Sequence, residues 1–229
     1  ELADTVVAQR YGACLTGYNL NHLMEKKEDI LEKIQDIDGQ LIVKEYPTKS
    51  ATVGMIKNHL EKIRQHEMPV DMVILDYGDL VRPSGGNKNS EKRHDLESIY
   101  EDLRAIAQEF KCPVITASQT NRKGLNEEVI TMESISEAFN KCFVADFIIS
   151  LSRTVKDKNC NIGRIFVAKN RNGPDAMIYS VFMDPSTVTI KVLEQADVQE
   201  VQRNEKRDKD KRDEAEARRI YQALKQLKT

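Results

Sequence analysis

The chain has 229 residues, 40% of them hydrophobic and 31% charged, with a net charge of −2. This is enough for one α/β domain with its own core plus an appendage, and it excludes a polycation that coats nucleic acid. A motor that grips one strand through a few local phosphate contacts remains open. No apolar run approaches the roughly 20 residues that a membrane-crossing helix needs, so no membrane partner is expected. The start, Glu1-Leu2-Ala3-Asp4, has neither an initiator Met nor a secretory apolar segment, and is expected to be interior to a longer chain. Cys14, Cys112, Cys142 and Cys160 are scattered, without the close pairs of zinc sites. They are expected to be reduced and structural, which points to a cytoplasmic setting, with Cys112 a buried thiol beside Pro113. His59 and His66 have no carboxylate or cysteine to complete a metal set.

In chain order, Leu2 to Ala8 reads as a helix start and Leu41 to Glu45 as a short β-like run. Ser50 is a candidate cap for a helix with Val53, Ile56, Leu60 and Ile63 on one face, ended by Pro69. Met72-Val73-Ile74-Leu75-Asp76 is an apolar run closed by an acid, the pattern of a buried parallel strand. A polar loop from Arg82 to Asn89 precedes a second helix, with Leu96, Ile99, Leu103, Ile106 and Phe110 at helical spacing. Pro113 to Ser118 and Asp146 to Leu151 read as further strands, separated by a long loop. Arg164 to Ala168, Met177 to Met183 and Thr187 to Leu193 follow, the last ones antiparallel additions at one edge. Strands alternating with amphipathic helices imply a mostly parallel sheet covered by helices on both faces. From Glu200 to Arg219 mixed charges dominate, and Ile220, Ala223, Leu224 and Leu227 add a thin apolar stripe. Residues 1–195 are therefore read as the domain, and 196–229 as a charged helix or tail.

Three strand ends carry candidate chemistry. A strand closing on Asp76 sets a carboxylate at the carboxyl edge of a parallel sheet, where an acid can hold Mg²⁺ beside nucleotide phosphates. If the next strand is its neighbour, Gln119 emerges at the same edge, where an amide can sense a γ-phosphate or the attacking water. In Lys169-Asn170-Arg171-Asn172-Gly173-Pro174, two cations one residue apart face one way and the Gly-Pro pair forces a turn. Such a pair suits neutralising charge on a transferring phosphoryl group.

The order Val-Ile-Leu-Asp-Tyr, Ser-Gln-Thr-Asn-Arg and Lys-Asn-Arg-Asn-Gly-Pro resembles the motor domain of DnaB-type replicative helicases, including phage versions, over about residues 1 to 193. The resemblance implies a RecA-like P-loop ATPase core with antiparallel edge strands, working as a homo-hexameric ring around single-stranded DNA. ATP and Mg²⁺ are the implied cofactors, and primase and a helicase loader are further partners. Asp76 is similar to the Walker B acid, Gln119 to the γ-phosphate sensor, and Lys169 with Arg171 to the pair that enters the neighbouring subunit's site. Glu1 is similar in place to the glutamate that polarises the attacking water. Arg122, Lys123, Ser136, Glu137 and Phe139 fall in stretches that match the DNA-contacting loops. The family's Gly-x-x-x-x-Gly-Lys-Ser/Thr loop is not among the 229 residues. The expectation is a motor cut after that loop, inactive by itself. The alternatives are a RecA/RadA- or KaiC-like ATPase, and a non-hydrolysing interaction module.

Overall fold

The structure is a computed structural model and describes residues 2–47, 50–83, 92–120, 127–134 and 140–194. Helix α1 (Asp4–Thr16) begins near the expected start and ends at Gly17, whose φ of 74° lets its amide reach the Ala13 carbonyl. A second helix, α2 (Lys27–Gln35), was not foreseen; all its residues are at least partly exposed. Leu41 to Glu45 is not a strand. A strand needs a pairing edge, this run finds none among the described residues, and Leu41, Ile42 and Val43 stay 55%, 45% and 38% exposed.

Helix α3 (Val53–Gln65) is capped by Thr52, whose Oγ1 accepts from the Met55 amide at 3.3 Å. Ser50, the expected cap, instead donates to the Pro47 carbonyl, because it stands two residues too early to reach the first turn. The helix stops at Gln65, and Glu67 turns left-handed with φ 58° before Pro69 is reached. Val53, Ile56 and Leu60 face Ile99, Leu103 and Ile106 of α4 (Lys92–Phe110), and Val81 joins them to form the main core. The apolar spacings of three and four made this contact foreseeable.

Strands β1 (Val73–Leu75) and β2 (Val114–Thr116) pair in parallel, with Val73 opposite Val114 and Leu75 opposite Thr116. Val73, Leu75 and Val114 pack on the α3–α4 core. Ile74 and Ile115, opposite one another on the other face, are 60% and 48% exposed. Helix cover on both faces is therefore met on one face only among the described residues, since α3 and α4 lie on the same side.

The remaining strands, β3 (Phe147–Ser152), β4 (Ile162–Asn170), β5 (Ile178–Asp184) and β6 (Thr189–Val192), form an antiparallel sheet in chain order. The expected antiparallel strands are present, but as a sheet of their own and not at an edge of the parallel pair, which they outnumber among the described residues. The long loop before β3 contains a short helix, α5 (Asn140–Val144). Between β3 and β4 sits α6 (Val155–Asn159), closed by a capping box between Thr154 and Asp157. No helix among the described residues is long and apolar enough to cross a membrane.

Candidate functional site

Parallel register decides what the strand ends share. Leu75 lies opposite Thr116, so Asp76 and the residues after Thr116 leave the sheet together at its carboxyl edge. Two bonds brace that edge: the Gly78 amide donates to Thr116 Oγ1 at 2.7 Å, and Thr116 Oγ1 donates to the Leu75 carbonyl at 2.9 Å. Gln119 Nε2 donates to the Tyr77 hydroxyl at 2.8 Å, tying the second strand end to the first. Asp76 itself is exposed, and its carboxylate takes no hydrogen bond or ion pair among the described residues.

Three residues on, Asp79 gathers three donors. Its Oδ1 accepts from the Tyr100 hydroxyl at 2.7 Å; its Oδ2 accepts from Ser118 Oγ at 3.0 Å and from Lys141 Nζ at 2.8 Å. The Lys141 side chain is 2% exposed and that of Asp79 12%. Burial first, and then the bond to Asp79, push the Tyr100 phenol far above its ordinary pKa, so it serves as a donor. One buried ion pair thus joins the end of β1, the end of β2 and α5.

The other end of α5 holds the second candidate group. Lys169 Nζ donates to the carbonyls of Cys142 at 2.8 Å and Phe143 at 3.1 Å. Arg171 Nη2 donates to the Phe143 carbonyl at 2.6 Å, and Nη1 to Asp146 Oδ1 at 3.0 Å. Cations suit these carbonyls because the last turn of a helix leaves its C=O groups unpaired. The register shifts opposite Lys169, where Ile148 faces Lys169 but Ile149 faces Val167, leaving Ala168 as an extra residue in β4. Burial, followed by the neighbouring Arg171 guanidinium, holds the Lys169 amine below the usual lysine pKa. The expected convergence of the two cations is observed. They turn toward α5, however, and no bond links them to Asp76 or Gln119 among the described residues.

Helix α4 steadies both ends of this bridge from one face. Glu97 Oε2 accepts from Asn140 Nδ2 at 2.9 Å, Tyr100 reaches Asp79, and Arg104 donates to the Val144 carbonyl and, at 2.9 Å, to Asp146 Oδ1. Asp79, Lys141, Tyr100, Arg104 and Asp146 escaped the sequence reading. The spacing of Glu97, Tyr100 and Arg104, three and then four apart, was the available signal: a polar stripe beside the apolar one on α4. Glu1, Arg122, Lys123, Ser136, Glu137 and Phe139 lie outside the described residues.

Among the described residues no group of three or more His, Cys, Asp or Glu could hold a metal ion. Asp76, exposed and without a hydrogen bond or ion pair among the described residues, still fits Mg²⁺, which keeps waters and takes phosphate oxygens alongside one or two carboxylates. All four cysteines are free, with Cys112 buried as expected and Cys14 exposed.

A parallel strand pair delivering an acid and an amide to one edge, followed by an antiparallel sheet that ends a strand in two cations, marks a RecA-like ATPase core. Two solved structures share this fold. One is an ATPase domain, with TM-score 0.70 and 19% identity over 85% of this chain and 72% of that one. The other is a DnaB-like replicative helicase studied in its interactions with primase, with TM-score 0.71 and 19% identity over 85% and 50%. Residues 6–191 match the family described as DnaB-like helicase C terminal domain, and the chain belongs to that family. Among curated relatives, the replicative DNA helicase DnaB of Geobacillus stearothermophilus is 30% identical over 59% of this chain and 31% of its own length. The DnaB of Mycoplasma genitalium is 25% identical over 71% and 37%, and the DnaB-like replicative helicase of Enterobacteria phage T4 is 26% identical over 67% and 34%. The chain spans about a third of the length of these relatives.

Proposed function

We propose that this domain is the sensing and force-transmitting part of an ATP-driven replicative helicase. In this reading it works as a homo-hexameric ring that moves along single-stranded DNA and unwinds duplex. The observation that carries the reading is that Asp76 and Gln119, the latter bonded to Tyr77, leave the parallel strands at one edge. When bound, ATP with Mg²⁺ supplies the phosphoryl group whose transfer drives the motor. Asp76 holds the ion, and Gln119, fixed by Tyr77, orients toward the γ-phosphate or the water. Glu1 takes the water's proton. Lys169 and Arg171 serve the neighbouring subunit's site, where they neutralise charge that develops during transfer.

Arg122, Lys123, Ser136, Glu137 and Phe139 are the proposed DNA contacts, with backbone amides supplying much of the phosphate binding because Glu127, Glu128 and Glu133 share the same stretch. Primase and a helicase loader are proposed partners, and the cytoplasm the proposed setting. The phosphate cradle is not in these 229 residues. The reading therefore expects a Gly-Lys-Ser/Thr loop encoded within about 30 residues upstream of Glu1, the length of a strand–helix–strand unit. An uninterrupted reading frame without such a loop would favour an interaction module.

The decisive assay mixes subunits of the longer protein. Arg171→Ala subunits should lose DNA-stimulated ATPase and recover part of it when mixed with Glu1→Gln subunits, because each supplies what the other lacks. Mixed rings with no recovery would rule out a shared site.

A further inference from the structure

We propose that Asp146 and Arg104 form a release latch for Arg171, holding its guanidinium on its own subunit and letting it pass to an external phosphate without leaving an acceptor unpaired. The latch rests on the trans-acting role proposed above for Arg171.

Both acceptors of the Arg171 guanidinium are used twice. Arg171 donates to Asp146 Oδ1 and to the Phe143 carbonyl. Each of these already has another donor: Arg104 Nη2 lies 2.9 Å from Asp146 Oδ1, and Lys169 Nζ lies 3.1 Å from the Phe143 carbonyl. An orphaned buried acceptor is what normally pins a side chain in place, because its desolvation goes uncompensated. Here departure of Arg171 orphans nothing.

Exposure points the same way. The Arg171 and Asp146 side chains are 42% and 55% exposed, so their pair is screened and weak. The Lys141–Asp79 pair, made by α5 itself, is of similar length but 2% and 12% exposed. One ion pair on α5 is therefore built to stay, and the pair just beyond its end is built to open. Charge supplies the direction. Arg104 and Arg171 share a single carboxylate oxygen and the Lys169 ammonium is close enough to feel the same charge, a local excess of positive charge. A phosphate, which accepts both guanidinium donors side by side, outcompetes one shared carboxylate oxygen.

Only the side chain needs to move. The Arg171 amide stays bonded to the Asp146 carbonyl at 3.0 Å. Asn170 braces the turn, donating from Nδ2 to the Pro174 carbonyl at 3.1 Å and accepting from the Asn172 amide at 3.2 Å. Asp146 and Arg104 are thus positioning residues: they set where Arg171 waits and how readily it leaves.

The test uses the 229-residue chain with ¹⁵N-labelled arginine, and sodium pyrophosphate as the probe. Without pyrophosphate, rotation of the Arg171 guanidinium about its Cζ–Nε bond should be hindered. Pyrophosphate should shift the Arg171 Nε–Hε resonance while the Arg104 resonance stays close to its starting position. Asp146→Asn should tighten pyrophosphate binding roughly two- to fivefold, the equilibrium weight of one exposed ion pair. Asp175→Asn removes the same charge from the same turn without touching Arg171, and should change the affinity less. Equal effects of the two substitutions, or an Arg171 signal that rotates freely in the unliganded wild type, would overturn the latch. The rotation measurement needs no variant, so it decides even if Asp146→Asn fails to fold. A latch that behaves as stated beside mixed rings that show no recovery would leave the latch standing and remove the trans-acting role.

Discussion

Replacing Lys141 with methionine removes the ammonium from a 2.8 Å ion pair while roughly keeping the length of the side chain. Asp79 is then left charged at 12% side-chain exposure, with the Tyr100 and Ser118 hydroxyls as its remaining donors at 2.7 and 3.0 Å. Breaking a buried pair from one side costs about 3–5 kcal/mol. The two surviving hydroxyls keep this variant near the lower end, about 3 kcal/mol. The opposite change, Asp79→Asn, should cost more, about 4–5 kcal/mol, because Lys141 is the more deeply buried partner and its bond to Asp79 is its one close anionic contact among the described residues. The double variant Asp79→Asn/Lys141→Met removes both charges and should recover much of the loss, ending below about 2 kcal/mol. Urea unfolding followed by far-ultraviolet circular dichroism measures all four corners of the cycle, with the m-value checking that compactness is unchanged. A Lys141→Met loss under about 1 kcal/mol, the scale of an exposed pair, would refute the argument that this contact holds α5 to the strand ends.

Other contacts make equally specific demands. Ile99, 2% exposed between α3 and the strand pair, should cost about 2–5 kcal/mol as Ile99→Ala in the same urea assay. Gly163→Ala should cost about 1–3 kcal/mol, since its Cβ would come within 2.5 Å of Met183 Sδ and 3.3 Å of the Ser152 carbonyl; a neutral result would mean that Met183 moves aside freely. Burial raises the Asp157 carboxyl, but bonds from Thr154 and Arg164 outweigh it and hold the group below the usual carboxylate range. A depressed carboxylate stabilises the fold fully above its unfolded pKa of about 3.9 and loses that contribution as pH falls toward the folded value. Asp157→Asn should therefore be less stable by about 1–2 kcal/mol at pH 7, with the gap closing below about pH 3.9 in pH-dependent unfolding. Finally, Arg171→Ala should raise the Lys169 pKa, because a neighbouring cation disappears while burial remains; NMR titration of the lysine side chain checks this, and an unchanged midpoint would mean that Arg171 does not contribute to the depression.

The parts legible in the sequence were those set by local periodicity. Helices α3 and α4 follow from apolar residues three and four apart, and β1 and β2 from short apolar runs between helices, because those patterns state directly which face must leave water. The placement of candidate groups at strand ends was legible for the same reason: Asp76 directly follows β1, and Lys169 and Arg171 flank the last residue of β4. Leu41 to Glu45 has the composition of a strand but no neighbour to pair with among the described residues, and a partner's edge is not a local property. Ser50 lost to Thr52 as a cap by two residues, a choice made by where the first turn begins.

Tertiary structure alone decided the bridge between the two candidate groups. Asp79 and Lys141 are 62 residues apart, and Arg104 and Asp146 are 42 apart, so no spacing rule links them. Packing α4 against β1 and β2 brings Tyr100 and Arg104 to opposite ends of α5, and only then can a five-residue helix join the carboxyl edge of the strand pair to the cations. The sequence by itself determined which groups stand at the strand ends. The fold decided how they are held, because ion pairing depends on distance and burial that the chain acquires only when its distant segments pack.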